Sequence, residues 1–214
     1  MIIKWDYIKG NYLFLDESKM GYIQKIKKNI KNESILCFDL DGTLINTDEA
    51  NFLSYKEAVL EVKNIDLESL YRSNYRFTQE NLYQLMPLLT LQEYQDIVTR
   101  KKDLYERYLN KTTINIKILA VIEKFSKTHK IILVTNSSQT RANQILQYHN
   151  LIDIFDYKFF KEDYNNKLES KFKYVLEALN INPKQIFIFE NDKKEIEQAL
   201  VLNIPLYNLV NVTI

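Results

Sequence analysis

The stretch "ILCFDLDGTLIN", residues 35–46, closes an apolar run with two aspartates one residue apart and then a glycine. Asp39 and Asp41 are like charges in one small space, so one is pushed toward protonation unless a cation or a reaction uses both. On a continuous strand, positions i and i+2 share a face, and a turn starting at Gly42 frees Asp41 to swing away from that strand. Glycine occurs only three times in 214 residues, so this one is expected where no side chain fits. Two later apolar runs also end in polar groups: "ILVTN" in Thr135 and Asn136, and "IFIFEND" in Glu190, Asn191 and Asp192. Three polar strand ends at one sheet edge would make a site for oxygen chemistry. It would bring together carboxylates, a hydroxyl and whatever cation balances them.

The elements that would bring these tips together can be read from periodicity. Residues 34–40, 130–136 and 185–192 are short apolar runs bounded by polar residues, as buried strands are. Helical patterns separate them, at 115–128, 138–149, 170–180 and 193–202, with "YKFF" and "PLYNLV" as further short strands. Strands alternating with helices imply right-handed crossovers and a parallel sheet. In open sheets of this kind the carboxyl ends of the strands face the ligand crevice. Residues 47–114 show helical periodicity without a convincing strand, with Asp66, Thr78 and Thr90 as candidate caps. The fold class is therefore α/β, a Rossmann-like three-layer parallel-sheet core with an inserted α-helical cap. Residues 30–46 and 115–214 would form the core and 47–114 the cap. Residues 1–29 would be an N-terminal extension with a strand in "NYLFLD" and an amphipathic helix carrying Ile23, Ile26 and Ile30.

Composition narrows the function. A net charge of +1 argues against a nucleic-acid surface, and no run reaches the ~18 apolar residues that span a bilayer. The single cysteine, Cys37, lies inside an apolar run, so a disulfide framework is excluded and a cytoplasmic location is expected. The expected assembly is a monomer or homodimer.

Over residues 34–205 the sequence resembles the haloacid dehalogenase (HAD) superfamily of phosphohydrolases. The carriers are "DLDGTL", "LVTNSS" and "LNINPKQIFIFENDKKEIEQALVLNIP", and "FDLDGTLINTDEANFLSYKEA" is similar to the helical-cap branch that includes phosphoglycolate phosphatases and β-phosphoglucomutase. Asn180 and Asn203 occupy positions often filled by glycine in that family, consistent with asparagine at left-handed turns. The resemblance implies a small phosphorylated substrate and an aspartyl-phosphate intermediate. Asp39 would be the nucleophile, and Asp41 the acid that protonates the leaving oxygen and then the base that activates water. Thr135 would donate to a phosphoryl oxygen, assisted by Asn136 and by backbone N–H groups around Gly42. The motif lysine would be Lys167 or Lys171, with Lys171 preferred because it opens the helix before "LNINP". Mg²⁺ would be held by Asp39, the Asp41 carbonyl and an acid from "FEND". An aspartate of the family falls on Asn191 here, so Glu190, Asn191 and Asp192 all remain candidates. Arg72 and Arg76 could grip a second anionic group from the cap. A phosphosugar mutase and a catalytically weak binding protein are the alternative readings.

Overall fold

The computed structural model describes residues 2–6, 11–15, 17–68, 76–164 and 170–212. Lys167 and Arg72 lie outside the described residues. A five-stranded sheet is built from β3 (Ile35–Phe38), β6 (Ile131–Val134), β7 (Tyr157–Phe159), β8 (Ile186–Glu190) and β9 (Leu209–Asn211). Its order is β7-β6-β3-β8-β9, and every neighbouring pair is parallel. The strand bearing the paired aspartates is therefore the central one.

Alternation along the strands explains the layers. Leu36, Phe38, Leu133, Phe187 and Phe189 face helices α1 (Glu17–Lys27), α5 (Ile116–Phe125) and α6 (Gln139–Tyr148) through Ile26, Val121 and Ile145. Cys37, Ile132, Val134 and Ile188 face the other side, against Phe172 and Val175 of α8 (Lys171–Ala178), which comes after the short α7 (Lys161–Tyr164), and Ala199 of α9 (Lys193–Val201). Phe38 and Phe189 stack at 4.5 Å across the first face. The helix-terminating asparagines behave as expected: Asn64, Asn150, Asn180 and Asn203 all take positive φ.

Two details depart from the sequence reading. "PLYNLV" is not one strand: Pro205 leads into a 3-10 turn, Leu206–Asn208, and only Leu209–Asn211 joins the sheet. The turn lets the Asn208 amide donate to the Lys184 and Ile186 carbonyls, which ties down the start of β8. The strand expected in "NYLFLD" forms as β2 (Asn11–Leu15). It pairs antiparallel with β1 (Ile2–Asp6) in a separate hairpin and does not extend the main sheet.

Between β3 and β6 the chain runs through β4 (Ile45–Asn46), helices α2 (Asp48–Lys63), α3 (Gln79–Leu85) and α4 (Leu91–Leu104), a 3-10 turn at Tyr105–Lys111, and β5 (Thr113–Ile114). The helices bury their own cluster, with Phe52, Tyr55, Val59, Phe77, Leu82 and Ile97 at its centre. Thr78 and Thr90 cap α3 and α4 with reciprocal capping boxes. Asp66 accepts the Glu68 N–H in a turn. Strands β4 and β5 pair with each other, so the segment leaves and rejoins the core at one place. Among the described residues no helix is long and apolar enough to cross a membrane.

Gly42 has φ +81, and a Cβ there would meet the Asn191 carboxamide, whose Cγ is 3.0 Å away. Gly42→Ala is expected to cost about 1–3 kcal/mol through backbone strain and displacement of Asn191, measured by urea unfolding. An unchanged midpoint would show that the loop has a second, relaxed conformation.

Candidate active site

Asp39 follows the last residue of β3 and donates its backbone N–H to the Phe189 carbonyl, 3.0 Å away, so the sheet ladder fixes its position. The residue is only 6% exposed. The partner is Lys171, the first residue of α8, whose ammonium lies 2.9 Å from Asp39 Oδ1 and 2.7 Å from Glu190 Oε2. Ser170 caps that helix by accepting the Phe172 N–H, and this aims Lys171 at the strand tips. Glu190 is anchored in turn: its Oε1 accepts the N–H groups of Asn191 and Asp192, each at 2.9 Å. One ammonium thus serves two buried carboxylates. Burial, and then the neighbouring Glu190, push the Asp39 carboxyl up to about 7 despite Lys171.

Asp41 sits two residues on, in a tighter grip. Arg141 of α6 holds it in bidentate fashion, at 2.6 Å and 3.0 Å, while the hydroxyls of Ser137 and Thr47 donate to it at 2.5 Å and 2.7 Å. Burial opposes ionisation here, but Arg141 and the hydrogen bonds outweigh it and hold Asp41 well below the usual carboxylate range. In this arrangement Asp41 is an anion, whereas the sequence reading needs it as a proton donor.

Thr135 closes β6 and is 1% exposed. Its Oγ1 accepts the Ser137 N–H at 3.1 Å, so its own proton is free for an incoming oxygen. The Asn136 amide donates to Glu195 at 2.9 Å, and its Oδ1 lies 2.8 Å from the Tyr164 hydroxyl. Asp39, Asp41, Thr135, Asn136, Lys171, Glu190 and Asp192 all line one cavity of about 940 Å³. Arg76 lines it from the helical side and is solvent-exposed. Gly42 and Asn191 are not among its lining residues. The Gly42 N–H donates to the Ile45 carbonyl at 2.8 Å, and Asn191 Oδ1 accepts from the Thr43 hydroxyl at 3.2 Å. The Gly42 N–H is thus already used within the aspartate loop, and the Asn191 carboxamide is turned toward that loop and not toward the cavity.

Sequence reasoning missed the helical wall of the cavity and Arg141. Lys101 of α4 is 9% exposed and lines the cavity, donating to Asn51 Oδ1 at 2.8 Å. Its ammonium is 4.8 Å from the centre of the Tyr105 ring, and the Arg141 guanidinium is 4.5 Å from the same ring. A signal for Arg141 was present. It stands in the first turn of a helix with no acidic residue there, where a cation opposes the helix dipole.

Carboxylates and a lysine meet at the C-terminal edge of a parallel sheet, facing a helical wall, at the edge where open α/β sheets take their ligands. The chain belongs to the haloacid dehalogenase-like hydrolase family, whose model matches residues 36–208. It is 26% identical over 170 residues to a phosphorylated carbohydrates phosphatase of Thermotoga maritima, covering 76% of this chain and 78% of that protein. Two solved structures share the fold. A haloacid dehalogenase-like family hydrolase from Streptococcus pneumoniae is 15% identical at a TM-score of 0.66, with 87% of this chain and 86% of that one covered. A β-phosphoglucomutase from Clostridium difficile is 19% identical at a TM-score of 0.59, with 79% and 81% covered.

Proposed function

We propose that the protein is a phosphomonoesterase acting on a small phosphorylated metabolite, with Asp39 as nucleophile. The observation that carries this is the Asp39–Lys171–Glu190 arrangement: a buried carboxylate on the central strand tip, opening on the cavity and paired with one ammonium. Asp39 attacks phosphorus in line and the bond to the leaving oxygen breaks. The leaving oxygen takes its proton from Asp41 after that carboxylate has left Arg141 and picked up a proton from solvent. Water then attacks the aspartyl-phosphate, giving its proton to Asp41 and releasing inorganic phosphate. Lys171 and the Thr135 hydroxyl hold the phosphoryl oxygens that do not react.

The donor set fits Mg²⁺. Asp39 and Glu190 share one ammonium, which leaves one excess negative charge in a buried place, and the donors are all hard oxygens. Among the described residues no group of three or more acidic, histidine or cysteine side chains is assembled for a metal. The cation would therefore rest on Asp39, the Asp41 carbonyl and Glu190 or Asp192. When bound, it would neutralise phosphate charge and lower Asp39 into its ionised range.

The name of the Thermotoga relative makes phosphorylated sugars the first substrates to test. Phosphate release from a panel of such esters is expected to depend on MgCl₂ and to vanish in EDTA. Mg²⁺ alone should also raise Tm by a few degrees, through binding that neutralises the carboxylate pair. Background-level release with every ester would overturn the enzymatic reading, and equal Tm in MgCl₂ and EDTA would overturn the metal assignment.

A further inference from the structure

Tyr164 and Glu195 take no part in the chemistry just described, yet both are bound to the tip of β6. Tyr164 ends α7, is 6% exposed and is not among the residues lining the cavity. Its hydroxyl is 2.7 Å from the Thr135 carbonyl and 2.8 Å from Asn136 Oδ1, so one phenolic proton faces two acceptors. Burial pushes this hydroxyl up, so it stays a donor at any ordinary pH. The start of α7 is tied to the same loop, because the Lys161 N–H donates to the Ser137 carbonyl at 3.1 Å. The Tyr164 ring also lies 6.2 Å from that of Tyr174 on α8, the helix that Lys171 opens. Glu195, in the first turn of α9, takes the carboxamide by its nitrogen, its Oε1 accepting an Asn136 N–H at 2.9 Å.

The two grips select one orientation of that carboxamide. A hydroxyl can meet either end of an amide, since it both donates and accepts, whereas a carboxylate can only accept. Glu195 therefore turns the nitrogen toward itself and leaves the oxygen to Tyr164. An amide nitrogen carries two N–H groups, and Glu195 takes one of them. The second N–H of Asn136 and the free proton of Thr135 then belong to adjacent residues of the cavity wall.

We propose that Tyr164 and Glu195 are positioning residues, which together clamp the Thr135–Asn136 tip so that its two free donors meet the phosphoryl oxygens in the transition state. The inference deepens the phosphomonoesterase reading and rests on it for its kinetic half. Both residues act through Asn136, and Tyr164 through the Thr135 carbonyl as well. A donor already held in place needs no reorganisation when charge develops on the oxygens it serves. A tip freed on either side would let the carboxamide turn, and the donor would then be right only part of the time.

Tyr164→Phe removes the hydroxyl and keeps the ring. Well below Tm, it is expected to lower kcat for an aryl phosphate about tenfold while KM changes less than about threefold, since the loss falls on the transition state. Orthovanadate, which takes the five-coordinate geometry of a transferring phosphoryl group, should bind about tenfold more weakly by calorimetry in MgCl₂. A packing role alone would lower Tm and leave both readouts unmoved. Glu195→Ala, at the less buried side of the clamp, serves if the tyrosine variant fails to fold. It should lose about as much, and Glu195→Gln should regain most of the loss, because glutamine keeps an acceptor oxygen. The double variant Tyr164→Phe, Glu195→Ala should lose clearly less than the product of the two single losses, since both act on one carboxamide. Unchanged kcat and orthovanadate affinity in either folded single variant, or losses that simply multiply, would overturn the clamp. Equal losses in Glu195→Gln and Glu195→Ala would overturn the acceptor role and assign the effect to the Glu195 charge near Lys171. A protein that binds orthovanadate with these losses yet hydrolyses no ester would refute the phosphomonoesterase reading and leave the clamp standing. Failure of the parent protein to bind orthovanadate would overturn both.

Discussion

Asp39→Asn is expected to abolish phosphate release, lowering turnover by about 10⁴-fold or more, the scale on which removal of a covalent nucleophile acts. The amide fills the same space, so the loss should be chemical. Thermal unfolding checks this directly. One of two carboxylates sharing Lys171 disappears, and the variant should melt no lower than the parent at pH 8. A pH dependence goes with it. In the unfolded chain Asp39 titrates near 3.8, and in the folded metal-free protein near 7. Between those values the folded form keeps a proton that the unfolded form has lost. Stability from this group therefore falls as pH rises from about 4 to about 7, then levels off. Asp39→Asn should remove that component of the slope. Residual Mg²⁺-dependent turnover above about one per cent would mean that another group attacks phosphorus.

Lys171→Met should have the largest effect on stability. Lys171 is 2% exposed and balances Asp39 and Glu190 together. Removing one partner from a buried ion pair typically costs about 3–5 kcal/mol, because an uncompensated charge stays behind. Here two carboxylates stay behind, so the upper end is expected in urea unfolding at pH 8. Part of the loss should return in millimolar MgCl₂, where a cation can replace the ammonium, and part near pH 5, where Asp39 takes a proton. An unchanged urea midpoint would mean that Lys171 points to solvent, and the arrangement proposed for Asp39 would go with it.

The central strands were legible because "ILCF", "IILV" and "IFIFE" are buried on both faces and so lack alternation. Their polar continuations Asp39, Thr135 and Glu190 then had to lie at one edge. Ser170 made the start of α8 readable, and with it the preference for Lys171. Other features were hidden for physical reasons. Strands β4 and β5 are two residues each, too short for a period to exist. The last strand begins late because Pro205 and the buried Asn208 favour a turn. Asn191 has the donor chemistry of a ligand, but sequence gives no direction, and its amide is turned toward Gly42 and Thr43. Nothing in the sequence reading singled out Arg141. It shares with Lys171 a telling position: each stands in the first turn of a helix at a strand tip, where only facing carboxylates make a positive charge favourable.

The pairing of Ile45–Asn46 with Thr113–Ile114 has a consequence for descent. Since the outgoing and returning strands stand shoulder to shoulder, lengthening or exchanging what hangs between them leaves the sheet's dimensions untouched. Related chains can diverge there freely while the floor that carries the strand-tip carboxylates keeps its shape, so new substrate tastes can arise without rebuilding what lies beneath.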